Sequence, residues 1–145
     1  LKGHEKEIDV LAYSMGMSQS GTMHTGGGGG SGKVNVQDLS ITKWFDEASV
    51  PLAKACITGD HISKMTLTVR KAGKKPLPYI VIEFEHVLVS SISDGGSGGE
   101  DKLTQNVSFN FRSVHWTYTR QKEDGSAGDK KKYGHNIAEN DEWAV

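Results

Sequence analysis

Cysteine is almost missing from this chain: the single Cys56 among 145 residues excludes an intramolecular disulfide. A chain of this length buries a core of its own without one, so the fold must rest on packing and hydrogen bonding. Such usage suits a reducing compartment, and equally an exported protein that never needed a bridge. Long apolar runs are missing too. No stretch approaches the roughly 20 residues that cross a bilayer as a helix, so membrane insertion is not expected. The opening LKGHEKE shows neither the charged n-region nor the apolar h-region of a cleaved secretory signal. Nor is there an excess of either charge: 17 Lys and Arg stand against 18 Asp and Glu, for a formal net charge of -1. That balance removes the general electrostatic case for nucleic acid or an anionic surface. The one basic run, Lys130 to Lys132, reads as a solvated turn.

Catalytic signatures are also scarce. There is no GxSxG, CxxC or DxDxDG, and the six histidines lie twenty or more residues apart, without the local spacing of a metal site. No cofactor, metal or catalytic residue is therefore expected. Asp94 to Asp101 (DGGSGGED) approaches a calcium-binding GGxGxD repeat, but Glu100 stands where the aspartate belongs and only one copy is present.

What the chain does have is glycine. Met15 to Lys43 reads MGMSQSGTMHTGGGGGSGKVNVQDLSITK, two strand-like segments around a long polar loop with five consecutive glycines. Loops of this length are usually functional or disordered. Gly27 to Lys33 (GGGGSGK) fits the first seven positions of a phosphate-binding loop. The eighth is Val34 rather than Ser or Thr, and the β-branched VNVQDLSIT that follows reads as a strand where phosphate binding needs a helix N-terminus.

The rest is mostly strand. Glu7 to Ser14 alternates with both faces partly covered, and a bulge near Gln37 and Asp38 would reconcile Val34 and Val36 with Leu39 and Ile41. Asp46 to Asp60 is the one helix, with Ser49 as N-cap, Pro51 in the first turn, Gly59 as stop, and Leu52, Ala53, Ala55, Cys56 and Ile57 as its apolar face. Met65 to Lys71 alternates cleanly, with Met65, Leu67 and Val69 inward. Tyr79 to Ser90 places Ile80, Ile82, Phe84 and Leu88 on one face and Glu83 and Glu85, read as solvated, on the other. Thr104 to Gln121 is the longest strand, its parity changing between Phe111 and Val114 and implying a bulge near Arg112 and Ser113. Lys122 to Lys132 reads as a polar turn, followed by a last short strand in KYGHNIAENDEWAV.

Four stretches carry a resemblance: EIDVLAYSMGMSQSGTMHTGGGGGSGKVNVQDLSITK, RKAG at Arg70 to Gly73, HVLVSSISDGGSGGED at His86 to Asp101, and KYGHNI at Lys132 to Ile137. In this order, over nearly the whole chain, they resemble the haemolysin-coregulated protein (Hcp) family, which supplies the inner tube of the bacterial type VI secretion system. Two departures stand out. The family's additional N-terminal strand has no counterpart before His4, and His135 stands where the family carries tryptophan.

The resemblance implies a single mainly β domain over residues 1 to 145, a two-sheet β-barrel-like fold with one flanking helix and a long Gly-rich protruding loop. It implies no enzymatic activity. Six copies would close into a ring, and rings would stack into a tube fired by a contractile sheath and capped by a VgrG-type spike, with small effector proteins carried in the channel. The protein would pass from the bacterial cytoplasm through the secretion apparatus without a cleaved signal peptide. The loop would contact the next ring through Met17, Ser18, Gln19, Ser20, His24, Gly26, Gly28, Gly30 and Lys33, and Ser14, Thr66 and Thr68 are the channel-facing candidates. The rival reading from the residues is a monomeric β module binding a small ligand in an aromatic-lined pocket, drawing on Trp44, Trp116 or Tyr118.

Overall fold

The computed structural model describes residues 7–21, 23, 33–71, 77–99 and 101–143. Nine strands and one helix follow in order: β1 (Val10–Ser14), β2 (Met17–Gln19), β3 (Val34–Val36), β4 (Leu39–Trp44), α1 (Ser49–Thr58), β5 (His61–Arg70), β6 (Pro78–Gly95), β7 (Thr104–Gln121), β8 (Ala127–Asn136) and β9 (Asp141–Glu142). The fold is mainly β with one helix, as expected. Among the described residues the strands form a seven-stranded sheet, along the path β1-β4-β7-β6-β5 with β8 and β9 branching from β7, and a separate β2-β3 pair. Two sheets are present, as expected, and among the described residues neither closes into a barrel: β1 and β5 stand at opposite ends of the path. The glycine run at 24–32 lies outside the described residues.

The chain forms two compact units, Leu1–His61 with Leu88–Asn110, and Ile62–Val87 with Phe111–Val145. The first is built on β4. Its pattern of alternate burial puts Leu39, Ile41 and Lys43 inward, and it pairs antiparallel with β1 on one side and with β7 from Thr104 to Phe109 on the other. Leu39, Ile41, Leu52, Val89, Val107 and Phe109 make the core of this unit, each stabilising by about 1.5–3 kcal/mol relative to exposure. The second unit centres on Phe84 and Phe111, whose ring centroids lie 4.7 Å apart, with Leu67, Ile82, Val87 and Val114.

Several expectations need correction. The expected bulge at Gln37 and Asp38 is a break instead: β3 pairs with β2, while β4 pairs with β1 and β7. The strand at Glu7 to Ser14 is mostly exposed rather than half covered on both faces. Helix α1 ends where foreseen, at Gly59 in the left-handed conformation (φ 71°) with its N–H bonded to the Ala55 carbonyl. Ser49, however, is not its N-cap. It lies inside the first turn, its hydroxyl already engaged, and Asp46 Oδ1 accepts from the Ala48 N–H instead. Ile57 points to solvent, leaving Leu52 as the buried apolar anchor of the helix.

In β6 the buried set is Ile82 and Phe84, then Val87 and Val89, not Leu88. His86, at φ 52°, takes the left-handed conformation and shifts the parity by one residue. In β7 burial falls on odd positions from Gln105 to Phe111, then on Ser113, Val114 and His115 in succession and on Thr119, so the apparent parity change has a different cause: the odd-numbered inward residues turn polar while Val114 is covered as well. Trp116 is half-buried and Tyr118 exposed. The lysine run expected in a turn lies on strand β8, where Lys130, Lys131 and Lys132 pair with Thr119, Tyr118 and Thr117.

Candidate assembly site

The polar face of the first unit is the clearest candidate surface. Alternation on β4 turns Ser40 and Thr42 away from the core, and directly paired residues of an antiparallel ladder share a face. Ser14 pairs with Ser40, and Ser40 pairs with Ser108 through hydroxyls 3.0 Å apart. One step along, Ala12 pairs with Thr42, whose Oγ1 donates to Asn106 Oδ1 at 2.8 Å. Asp38 ties off the end, accepting from Ser90 Oγ at 2.6 Å and Asn110 Nδ2 at 3.0 Å. Ser14 thus heads a row of small hydroxyl and amide groups across three strands. Ser40, Thr42, Asn106 and Ser108 were not foreseen as members, although the alternation of LSIT and NVSF carries the signal. Thr66 is exposed and Thr68 half-buried on β5, in the second unit.

The arm begins where β2 and β3 pair, Met17 with Val36, Ser18 with Asn35 and Gln19 with Val34. All three β2 side chains are exposed, as are Ser20 and Lys33. Ser20 Oγ donates to the Lys33 carbonyl at 3.3 Å, the Gly21 N–H donates to Gln19 Oε1 at 3.0 Å, and Met23 is 92% exposed. His24, Gly26, Gly28 and Gly30 lie outside the described residues. Lys33 leads into a strand, not a helix, so the donors a phosphate-binding loop requires do not follow it.

Beneath the polar face sits a buried cation that the sequence did not announce. Lys43 is 0% exposed, and its Nζ donates to Asp46 Oδ1 (2.8 Å), Ser49 Oγ (2.9 Å), the Trp44 carbonyl (2.9 Å) and Gln105 Oε1 (3.2 Å). Gln105 Nε2 in turn donates to Asp94 Oδ1 at 2.8 Å, so that carboxylate, part of the calcium-like stretch, already serves β7. This relay fixes β4, the start of α1, β7 and the end of β6 to one another. Partial burial raises the Asp46 carboxyl, but hydrogen bonds from Lys43 and the Ala48 N–H, the lysine charge and Ser49 outweigh it and hold it below its ordinary value.

In the second unit, His115 is 3% exposed, with Nδ1 3.6 Å from Glu83 Oε2 and its ring edge-on to Trp143. Glu83 also meets Lys64 at 3.3 Å, so it is half-buried and paired where a solvated acid was expected. Among the described residues no three His, Cys, Asp or Glu side chains converge as metal ligands, and no helix is long and apolar enough to cross a membrane.

Comparison with known proteins agrees with the fold. The family model described as "Type VI secretion system effector, Hcp" matches residues 1–118. Protein hcp1 of Pseudomonas aeruginosa is 56% identical over 141 residues, spanning 96% of this chain and 87% of the relative. Among solved structures, a type six secretion system protein superposes with a TM-score of 0.89 at 32% identity, covering 97% of this chain and 89% of the other. Hcp1 from Salmonella typhimurium superposes at 0.80, also at 32% identity, covering 97% and 87%.

Proposed function

The chain belongs to the Hcp family of type VI secretion tube proteins, a structural and not an enzymatic family, and from that premise we propose that six copies close into a ring whose stacked copies form the tube. The observation that carries this reading is the row Ser14, Ser40, Ser108 with Thr42 and Asn106. A channel through which folded cargo passes needs a wall that water wets but that grips little. Small uncharged hydroxyls and amides, already satisfied by one another, supply such a surface. We assign Ser14 to the channel side on this basis, with Thr66 and Thr68 as further lining positions.

The ring gives the exposed edge of β1 a use. Among the described residues β1 is an end strand of the sheet, carrying the partly exposed Leu11 and Tyr13; such an edge is a pairing site, and cyclic symmetry would cover it in every copy. The arm that starts at Met17 to Ser20 and returns at Lys33, carrying His24, Gly26, Gly28 and Gly30, makes the contact between rings. The partners that follow are the VgrG-type spike, the contractile sheath and small effector proteins, and the route runs from the bacterial cytoplasm through the apparatus without a cleaved signal peptide.

Light scattering coupled to size exclusion at two protein concentrations tests the ring. A sixfold mass that survives dilution supports it, and a monomer at both concentrations overturns it. Deleting Thr25 to Gly32 leaves the sixfold mass and weakens stacking; loss of the hexamer itself would refute the assignment of the arm. The rival ligand-binding module drew on Trp44, Trp116 and Tyr118; an open cavity of the first unit is lined instead by Phe45, Leu103, Thr104 and the Asp94–Gly98 loop.

A further inference from the structure

Strand β8 carries an edge that its own sheet leaves largely open. Among the described residues it pairs with β7 along one side, while β9 takes only His135 and Asn136 on the other. Two hydrogen bonds fix which backbone groups face outward. The Ile137 N–H donates to the Arg112 carbonyl at 2.8 Å, and the Trp143 N–H, just past β9, donates to the Gly134 carbonyl at 2.9 Å. Backbone groups of successive residues in an antiparallel strand point alternately to its two sides, and the register with β7 is unbroken from Asn136 to Lys130. Odd-numbered residues therefore bond to β7, and Lys130 and Lys132 turn their N–H and C=O groups away from it. The side chains at this edge are the exposed Lys130, Lys131 and Lys132, and Asp129 is the one carboxylate on the strand. Among the described residues none of the three lysines has an ion pair, and the β7 residues opposite them, Thr119, Tyr118 and Thr117, are uncharged.

We propose that this edge docks an extended acidic segment of a partner protein, which adds to the sheet as a strand beside Lys130 to Lys132. An open edge takes a strand through main-chain hydrogen bonds, and the side chains on its two faces choose which strand. Lysines on an edge keep most strands away, and here that repulsion selects. Two β8 edges of identical copies would set lysine against lysine, which is destabilising, whereas opposite charges across a strand pair stabilise. A segment with three successive carboxylates sets two of them beside Lys130 and Lys132 on one face and the third beside Lys131 on the other. The chain itself displays this mode. Its own acidic strand β9, Asp141 and Glu142, already lies on the same edge a few residues further along. The contact does not depend on ring formation.

Fluorescence anisotropy of the full chain with a fluorescein-labelled Thr-Val-Glu-Glu-Glu-Val-Thr peptide tests this. Exchanging the three glutamates for glutamine should weaken binding roughly tenfold, as expected for the loss of three exposed ion pairs. The variant Lys130→Gln/Lys131→Gln/Lys132→Gln should lose the acidic peptide to the same extent, whereas Lys130→Arg/Lys131→Arg/Lys132→Arg should keep it. Hydrogen exchange read at single residues locates the strand: bound peptide should slow the outward amides of Lys130 and Lys132 and leave that of Lys131, already bonded to β7, unchanged. Methylating the backbone nitrogens of the three glutamates should abolish binding. Failure of the acidic peptide to bind would overturn the proposal. Equal binding of the methylated peptide, or equally strong competition by an oligothymidine of the same charge, would reduce the edge to a charged surface and overturn strand addition. A changed oligomeric mass in the glutamine triple variant would make the edge a contact between copies, which also overturns it.

Discussion

Lys43 holds a charge where water does not reach, which is tolerable because four acceptors surround its amine. Removing one partner of a buried pair is worse than never having built it, since the other partner stays desolvated. Lys43→Met should therefore cost about 3 kcal/mol, the lower end for such a break because Asp46 remains partly wet; the urea midpoint reads it. Asp46 sets a pH dependence of known sign. Its folded pKa lies below the ordinary 3.8, so its contribution is complete above that value and disappears as the pH falls through the lowered one. Asp46→Asn should lose stability at pH 7 and flatten the acid limb of a stability-against-pH curve measured between pH 6 and 2. An acid limb as steep as in the parent would show that other carboxylates dominate.

At the scale of elements, β6 depends on one unusual backbone. His86 occupies the left-handed region, where an L-residue pays roughly 1–2 kcal/mol and a β-branched one more. His86→Asn should be near neutral, while His86→Val should lose at least about 1 kcal/mol in chemical denaturation. Equal losses in the two would mean that side-chain contacts, not backbone strain, hold the position. The same residue shows what the sequence could not reveal. The helix stop at Gly59 and the alternation through Leu39 and Ile41 were legible because each is a local rule, but a single left-handed residue inverts every later parity and nothing in EHVLV marks it. In β7 the inward Ser113, His115 and Thr119 are polar, so a pattern built on hydrophobicity follows the buried Val114 on to Trp116 and Tyr118 and misses them. Strand β8 was hidden for a similar reason. Its lysines are exposed and paired, and charge reads as turn when its partner strand is unknown. At the candidate site Ser14 and the arm were named from the family resemblance, whereas the row behind Ser14 needed the register that only pairing supplies.

For the whole molecule, the exposed apolar side chains of β1 bear on the proposed ring. Leu11 and Tyr13 on β1 are 48% and 40% exposed. Leu11→Lys should shift the unfolding midpoint by no more than a surface change does, about 0.5 kcal/mol, yet lower the mass seen by light scattering. An unchanged sixfold mass would move the subunit contact away from β1. The division of the chain has a further consequence, for synthesis. The first unit is assembled from two separated segments and cannot close until Asn110 has left the ribosome, with Ile62 to Val87 of the other unit already made in between. A nascent chain therefore carries β4 without its β7 partner while all of the chain from Phe45 to Leu103 is made. The first unit therefore cannot finish folding during elongation before part of the second has been made.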